Sequence, residues 1–425
     1  MDFTMHGYIR SIRQTLSRDY KQMYRPPGQR MKYPFLTPGS EQYADVLWDW
    51  DSWLSNVALR QILVETGTED DREEAKPYER GCVQNFIQWS RDYGHDGWVP
   101  ISVRRDGSPV IKPDDFADHN MHKPCLAQHA AFLSQQDNDV AWLGDDQKYL
   151  QFFVNCYRNH FRHACGLYFW QDDRSIGVDN DPCTFDRPPR SSGSIYLNCL
   201  MYRELLALSW ILDRMGLDEV AASYRRDSDH LREAIQAHCW DERDGFFYSV
   251  DFNLLPVESG SRGRHPGQPR NYPCLLQRIG VWSGFMALWA GVATPEQAAR
   301  VVQDHYRDPR TFGAPFGVRT LSKMEKMYNL RASGNPSSWL GPLWGIANYM
   351  SFRGFVRYGQ DEAARDLCEK TIKLFGQDLE KTGALHEYYQ PENGEPILNW
   401  GFQNWNYLVL NMIAWLEGRQ VIEEF

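Results

Sequence analysis

The sequence predicts an all-α fold, an (α/α)6 barrel in which six helical hairpins close into a ring with long active-site loops on one face. Three observations predict it. Apolar residues recur at helical spacing along most of the 425 residues, while strand-like alternation is scarce. About twelve such segments can be counted. The connections between them alternate between long and short, and helices joined by short connections lie antiparallel, so all the long connections fall on one face.

In chain order the helices are expected over residues 6–24, 44–66, 78–93, 122–137, 146–163, 192–215, 217–238, 279–292, 295–306, 337–358, 361–380 and 400–418. Some carry start or stop signals. Ser192 precedes an apolar run, and Thr294 followed by Pro295, Glu296 and Gln297 reads as an N-cap with proline and acid in the first turn. Gly216 stands where one helix must stop before the next begins. The long connections are 25–43, 94–121, 164–191, 239–278, 307–336 and 381–399. Unstructured loops of this length are uncommon unless they serve function, so six on one face predict an active face. No linker or low-complexity segment divides the chain, and residues 1–425 are read as a single catalytic domain. The Pro- and Gly-rich run 251–275 is read as a lid or a small excursion from the barrel.

Composition narrows the function. The net charge is −10, from 46 basic and 56 acidic residues, which argues against nucleic acid and acidic membranes as partners. A small carbohydrate substrate fits better, with self-association into a homo-oligomer left open. Sixteen Trp, 22 Tyr and 21 Phe make a rich aromatic share. Most of these rings belong in a large core; some are expected to face sugar. No uncharged apolar stretch of about 18 residues predicts a membrane span. Residues Met1 to His6 lack a basic region followed by an apolar one, so no signal peptide is expected and the location is read as cytoplasmic. The nine Cys are scattered without a CxxC pair, which predicts free, mostly buried thiols. His119 with His122, and His160 with His163, lack further ligands, and His386-Glu387 has Gln390 where a zinc motif needs its second His. No metal or other cofactor is predicted.

The long connections hold the chemistry. Residues Trp48-Asp49-Trp50-Asp51-Ser52-Trp53 enter the second helix. Acidic residues there suit the helix dipole, but three Trp with two Asp also suit sugar contact. Trp98 lies in the second long connection, and Gln128, on the following helix, joins the candidate contacts. Asp179 follows the aromatic run ending in Trp170. Burial beside that ring would keep a carboxyl protonated and able to donate. Glu387 lies between His386 and the pair Tyr388 and Tyr389, whose hydroxyls would hold it ionised as a base. Two separated carboxylates among aromatics are what glycosidic cleavage requires: one protonates the leaving oxygen, the other activates water or attacks.

Taken together the segments resemble glycoside hydrolase family 63, and more distantly the trehalases of family 37. Tyr33-Pro34-Phe35-Leu36-Thr37-Pro38-Gly39 and the Trp48–Trp53 run resemble the family's entry motif. Gly177-Val178-Asp179-Asn180-Asp181-Pro182 resembles its general-acid segment, Gly-Met-Asp-Asn-Ser-Pro. Trp339-Leu340-Gly341-Pro342-Leu343-Trp344 resembles Trp-Arg-Gly-Pro-x-Trp; the Glu387 loop and Phe402-Gln403-Asn404-Trp405 complete the series in family order. The resemblance implies an (α/α)6 barrel hydrolysing a small α-glucoside or α-mannoside, of disaccharide or glycosylglycerate type, with inversion. It makes Asp179 the general acid and Glu387 the general base. Trp50 and Asp51 match its substrate-binding positions, and Trp48, Trp339, Gly341, Trp344 and Trp405 join them as candidate contacts. The chain departs from the pattern at Ser175, Asp181 and Leu340, which alters the aglycone side. Arg174, Arg187, Arg190 and Lys123 are the cations available to an acidic aglycone. The alternatives are a sugar epimerase on the same barrel, working through His95, His119 and His386, and a glycan-binding protein without catalysis.

Overall fold

Among the described residues, six helices are buried along most of their length, and that property places them at the centre. They are α2 (Asp49–Thr66), α4 (Leu126–Asp137), α6 (Ile195–Arg214), α8 (Met286–Ala290), α10 (Gly345–Arg357) and α12 (Val409–Leu416). In α10 every residue from Gly345 to Phe355 is buried. A helix with no polar face must be surrounded by protein. The other six alternate with these along the chain and are amphipathic: α1 (Phe3–Asp19), α3 (Glu69–Tyr93), α5 (Gln147–His160), α7 (Asp218–His238), α9 (Pro295–Arg300) and α11 (Asp361–Thr382). In α7 the buried positions include Ala221, Tyr224, Ser228, Leu231 and Ile235, one stripe at helical spacing. The computed structural model describes residues 3–94, 96–110, 119–254, 271–331 and 337–425.

The inner helices pack in sequence, α2 on α4, α4 on α6, α6 on α8, α8 on α10 and α10 on α12, and α12 returns to α2. The outer helices flank them, with α1 against α11 and α3 against α5. This is the (α/α)6 barrel expected. Every outer helix feeds an inner one through a long connection, so the N-termini of the inner helices share one face. Among the described residues, α6 has the length and apolar content to cross a membrane, and most of it is buried in the ring. All nine cysteines are free, and eight are buried.

Boundaries shift where long connections borrow residues for short strands. The second helix begins at Asp49 and not at 44, because Val46–Trp48 pairs antiparallel with Ser102–Arg104. The tenth begins at Gly345 and not at 337. Pro342 disfavours helix in the residue before it, and Leu343–Trp344 pairs with Tyr388–Tyr389. The third starts at Glu69, nine residues early, because Thr68 and Asp71 form a capping box. Thr294 and Gln297 form the same box at α9, and Gly216 adopts a left-handed conformation (φ +76°) after α6. The eighth helix is shorter than expected, with a 3₁₀ turn at Trp282–Phe285 before Met286–Ala290. Of the run 251–275, residues 255–270 lie outside the described residues.

Candidate active site

Where the inner N-termini converge, a cavity of about 230 Å³ is lined by Tyr43, Trp48, Trp50, Asp51, Ile101, Lys123, Ser175, Gly177, Asp179, Ser337, Trp344, Glu387, Phe402 and Trp405. Five of the six stretches that run from an outer helix to the next inner one contribute, together with the first turn of α2. Asp179 and Glu387, far apart in sequence, therefore face one space.

The walls are aromatic. Trp50 meets Trp405 edge to face at 5.2 Å between ring centroids, and Phe402 lies 5.4 Å from Trp405. Trp344 stacks on Trp339 (4.0 Å, 11°) and on Tyr388 (4.9 Å, 17°). The Leu343–Trp344 strand thus aligns Trp344 with the loop of Glu387, and the stacks with Trp339 and Tyr388 fix its ring plane. The indole N–H groups of Trp48, Trp339 and Trp405 are buried without an acceptor among the described residues.

Glu387 is 4% exposed. Its Oε1 accepts a hydrogen bond from Tyr43 Oη at 2.9 Å, and its Oε2 accepts one from the Asn399 side-chain amide. Burial pushes its carboxyl up to about 7; the two hydrogen bonds oppose this and the nearby Asp179 adds to it. Asp179 itself is half-buried. Asp51 is also pushed up to about 7 by burial and by Asp49, against the pull of Lys123 and of the Asn404 amide 2.5 Å from its Oδ1. Lys123 lies 5.1 Å from the Trp50 ring centroid and is bound to Asp49 at 2.8 and 2.9 Å, so its charge is matched within the protein.

Several sequence expectations require correction. The tyrosine on Glu387 is Tyr43, from a different connection. Tyr389 Oη instead donates to Asp378 at 2.8 Å, and Tyr388 is occupied by its stack on Trp344. Trp170 is fully buried against Tyr196 and does not line the cavity. Trp98 packs on Trp89 and donates to the His119 carbonyl. Gln128 is fully buried and donates to the carbonyls of Pro124 and Leu200. Beside it, Glu204 of α6 accepts from the N–H groups of Ala127 and Gln128, capping α4. Gly341 holds φ +134° and lies against the Tyr328 ring, a backbone role. Trp339 is second in the stack. Arg174 is tied to Asp172, Arg187 to Asp251 and Arg190 to Gln171, and none of the three lines the cavity. His386 is bound to Asp378, no histidine lines the described cavity, and His95 lies outside the described residues. Sequence reasoning assigns Tyr43 and Asn399 no role and takes Asn404 only as part of the Phe402–Trp405 segment: the partners of Tyr43 and Asn404 lie 344 and 353 positions away, and Asn399, 12 positions from Glu387, meets it only through the turn of the hairpin.

Comparisons with known proteins agree with this geometry. Residues 44–407 match the family described as mannosylglycerate hydrolase MGH1-like glycoside hydrolase domain. The chain is 29% identical over 251 residues to the mannosylglycerate hydrolase MGH1 of Selaginella moellendorffii, covering 57% of this chain and 42% of that protein. It is 23% identical over 239 residues to the cytosolic neutral trehalase of Kluyveromyces lactis, covering 53% of this chain and 29% of that one. The matches thus span less than half the length of these curated relatives. The crystal structure of the GH63 mannosylglycerate hydrolase from Thermus thermophilus with Tris and D-glycerate superposes with a TM-score of 0.64 at 18% identity, covering 95% of this chain and 99% of that one. With the family match extending over most of the chain, the barrel and its convergent loops included, this protein belongs to the MGH1-like glycoside hydrolase family.

Proposed function

We propose that the protein hydrolyses the glycosidic bond of a small α-glycoside with inversion, Asp179 acting as general acid and Glu387 as general base. The observation that carries this reading is that the two carboxyl groups line one aromatic-walled cavity of about 230 Å³. Trp50, Trp344 and Trp405 offer ring faces and edges to the apolar faces of a sugar. Asp51 and the buried indole N–H groups of Trp48 and Trp405 offer hydrogen bonds to its hydroxyls. Asp179 protonates the leaving oxygen. Glu387, its proton lost, takes one from a water that attacks the opposite face of the anomeric carbon. Inversion by this route needs the carboxyl groups roughly 6.5–9.5 Å apart, leaving room for that water.

The names of the relatives, mannosylglycerate hydrolase and trehalase, support a glucoside or mannoside of disaccharide or glycosylglycerate size as the substrate. Among the described lining residues the one lysine is already paired with Asp49, which favours an uncharged leaving group over an acidic one. Incubation with a panel of trehalose, other α-glucosides, α-mannosides and glycosylglycerates, followed by NMR, tests the proposal. A β-anomer released first from an α-glycoside is expected; α-anomer, or no free sugar from any of them, overturns it. Asp179→Asn and Glu387→Gln are each expected to lower kcat by about 10²–10⁴-fold with the fold intact. A variant with wild-type turnover would remove its residue from the mechanism.

A further inference from the structure

We infer that Asn399 is a positioning residue for the general base, its side-chain amide fixing the plane of the Glu387 carboxylate and the pH at which that carboxylate works. The inference rests on Glu387 being the base. Glu387 lies in a hairpin: its N–H donates to the Leu398 carbonyl at 2.8 Å, Ile397 N–H donates to the Tyr388 carbonyl at 3.0 Å, and Gly401 N–H donates to the Leu385 carbonyl at 2.9 Å. Asn399 interrupts the return strand of that hairpin with a left-handed backbone, φ +52°. Such a residue is uncommon, and Asn is among the few side chains that adopt the conformation without large strain. The turn brings its amide onto Glu387 Oε2.

The two donors to Glu387 are not equivalent. Tyr43 holds Oε1 and also lines the cavity, so it touches whatever binds there. Asn399 is not among the described lining residues, and its bond to the site is the one to Glu387. One donor on each oxygen prevents the carboxylate from rotating about its terminal bond and leaves each oxygen a further lone pair for water. An amide N–H favours the charged form, and in a site this buried the base needs that help to lose its proton. Asn399 thus supplies both aim and charge from outside the described lining of the cavity.

The test compares pH–rate profiles of wild type, Asn399→Gly, Asn399→Asp and Glu387→Gln on the α-glycoside that the wild type turns over best. Glycine accepts the left-handed turn and deletes the donor. Aspartate keeps the shape, replaces donor by acceptor and adds like charge. Asn399→Gly is expected to keep KM within about threefold, to lose about tenfold or more in kcat at neutral pH, and to move the acid limb up by about one pH unit. Asn399→Asp is expected to move the limb further, and it serves if the glycine variant fails to fold. An acid limb that stays at the wild-type position in both variants, whatever happens to thermal stability or KM, overturns the inference. If that occurs while Glu387→Gln is inactive, the Asn399 inference alone fails; if Glu387→Gln retains wild-type turnover, the base assignment fails and the inference with it.

Discussion

Glu387 combines burial with a duty that requires charge, and that tension has a measurable consequence. An ordinary glutamate ionises near 4.5, whereas burial pushes this one up to about 7. A base must be unprotonated, so kcat/KM is expected to fall as pH drops through about 7. The same group affects stability with a definite sign. Folded protein holds this proton to higher pH than unfolded chain, so folding takes up a proton between about 4.5 and 7. The stability this brings is fully present below the lower value and is lost as pH rises through the upper one. Glu387→Gln removes that dependence. Denaturant titrations at pH 8 should find the variant more stable, by at most about 3 kcal/mol, with the difference gone at pH 4; equal stability at pH 8 would contradict it. Such a trade, stability given up for function, is expected at an active site.

At the scale of the element, short strands matter more than their length suggests. The two-residue pairing of Leu343–Trp344 with Tyr388–Tyr389 joins the connection before α10 to the one before α12. It sets Trp344 opposite Tyr388, one residue from Glu387. The approach to that strand depends on Gly341, whose φ of +134° suits glycine alone and whose N–H is held by Thr320 Oγ1 at 3.1 Å. A Cβ there would stand 2.4 Å from the Tyr328 ring. Gly341→Ala is expected to cost about 1–3 kcal/mol and to weaken substrate binding through displaced Trp344. Thermal melts and KM measure this; a variant unchanged in both would show the conformation is not needed. Gly341 thus belongs to the site through backbone geometry, although the sequence motif marks it as a contact.

At the scale of the whole molecule, a ring must be closed, and residues 417–425 help close it. Glu424 is fully buried. It accepts from Trp289 of α8 at 2.9 Å and from Tyr349 of α10 at 2.7 Å, and it pairs with Arg353 of α10 at 3.2 Å. Nearby, Ile422 meets Gln61 of α2 and Asn411 of α12. One segment therefore ties four of the six inner helices. Arg353 and the hydrogen bonds bring the Glu424 carboxyl down to about 2 against the cost of burial. That stability is present above about 4.5 and is lost as pH falls toward 2. Glu424→Ala leaves the buried Arg353 with the exposed Glu423, 2.9 Å from it, as its remaining acidic partner, and is expected to cost at most about 3–5 kcal/mol at neutral pH. The cost should shrink in acid, measured as denaturation midpoints between pH 3 and 7. A pH-independent loss would assign Glu424 to packing alone.

The sequence by itself determined the fold class, because helical periodicity and loop spacing are local properties written along the chain. It also marked Asp179, Glu387, Trp48, Trp50, Asp51, Trp344 and Trp405, whose residue types and neighbours carry their own chemical signal, and all of them line the cavity. It misread Trp98, Gln128 and Trp170, since an aromatic or amide near an acidic loop has the same local signature whether it faces sugar or core. Only the tertiary structure decided which tyrosine and which amides hold the carboxylates. Tyr43 and Glu387 are separated by 344 positions, and Asn404 and Asp51 by 353. Ring closure brings such residues together, and a hydrogen bond made across a closed ring leaves no trace in the spacing of either partner.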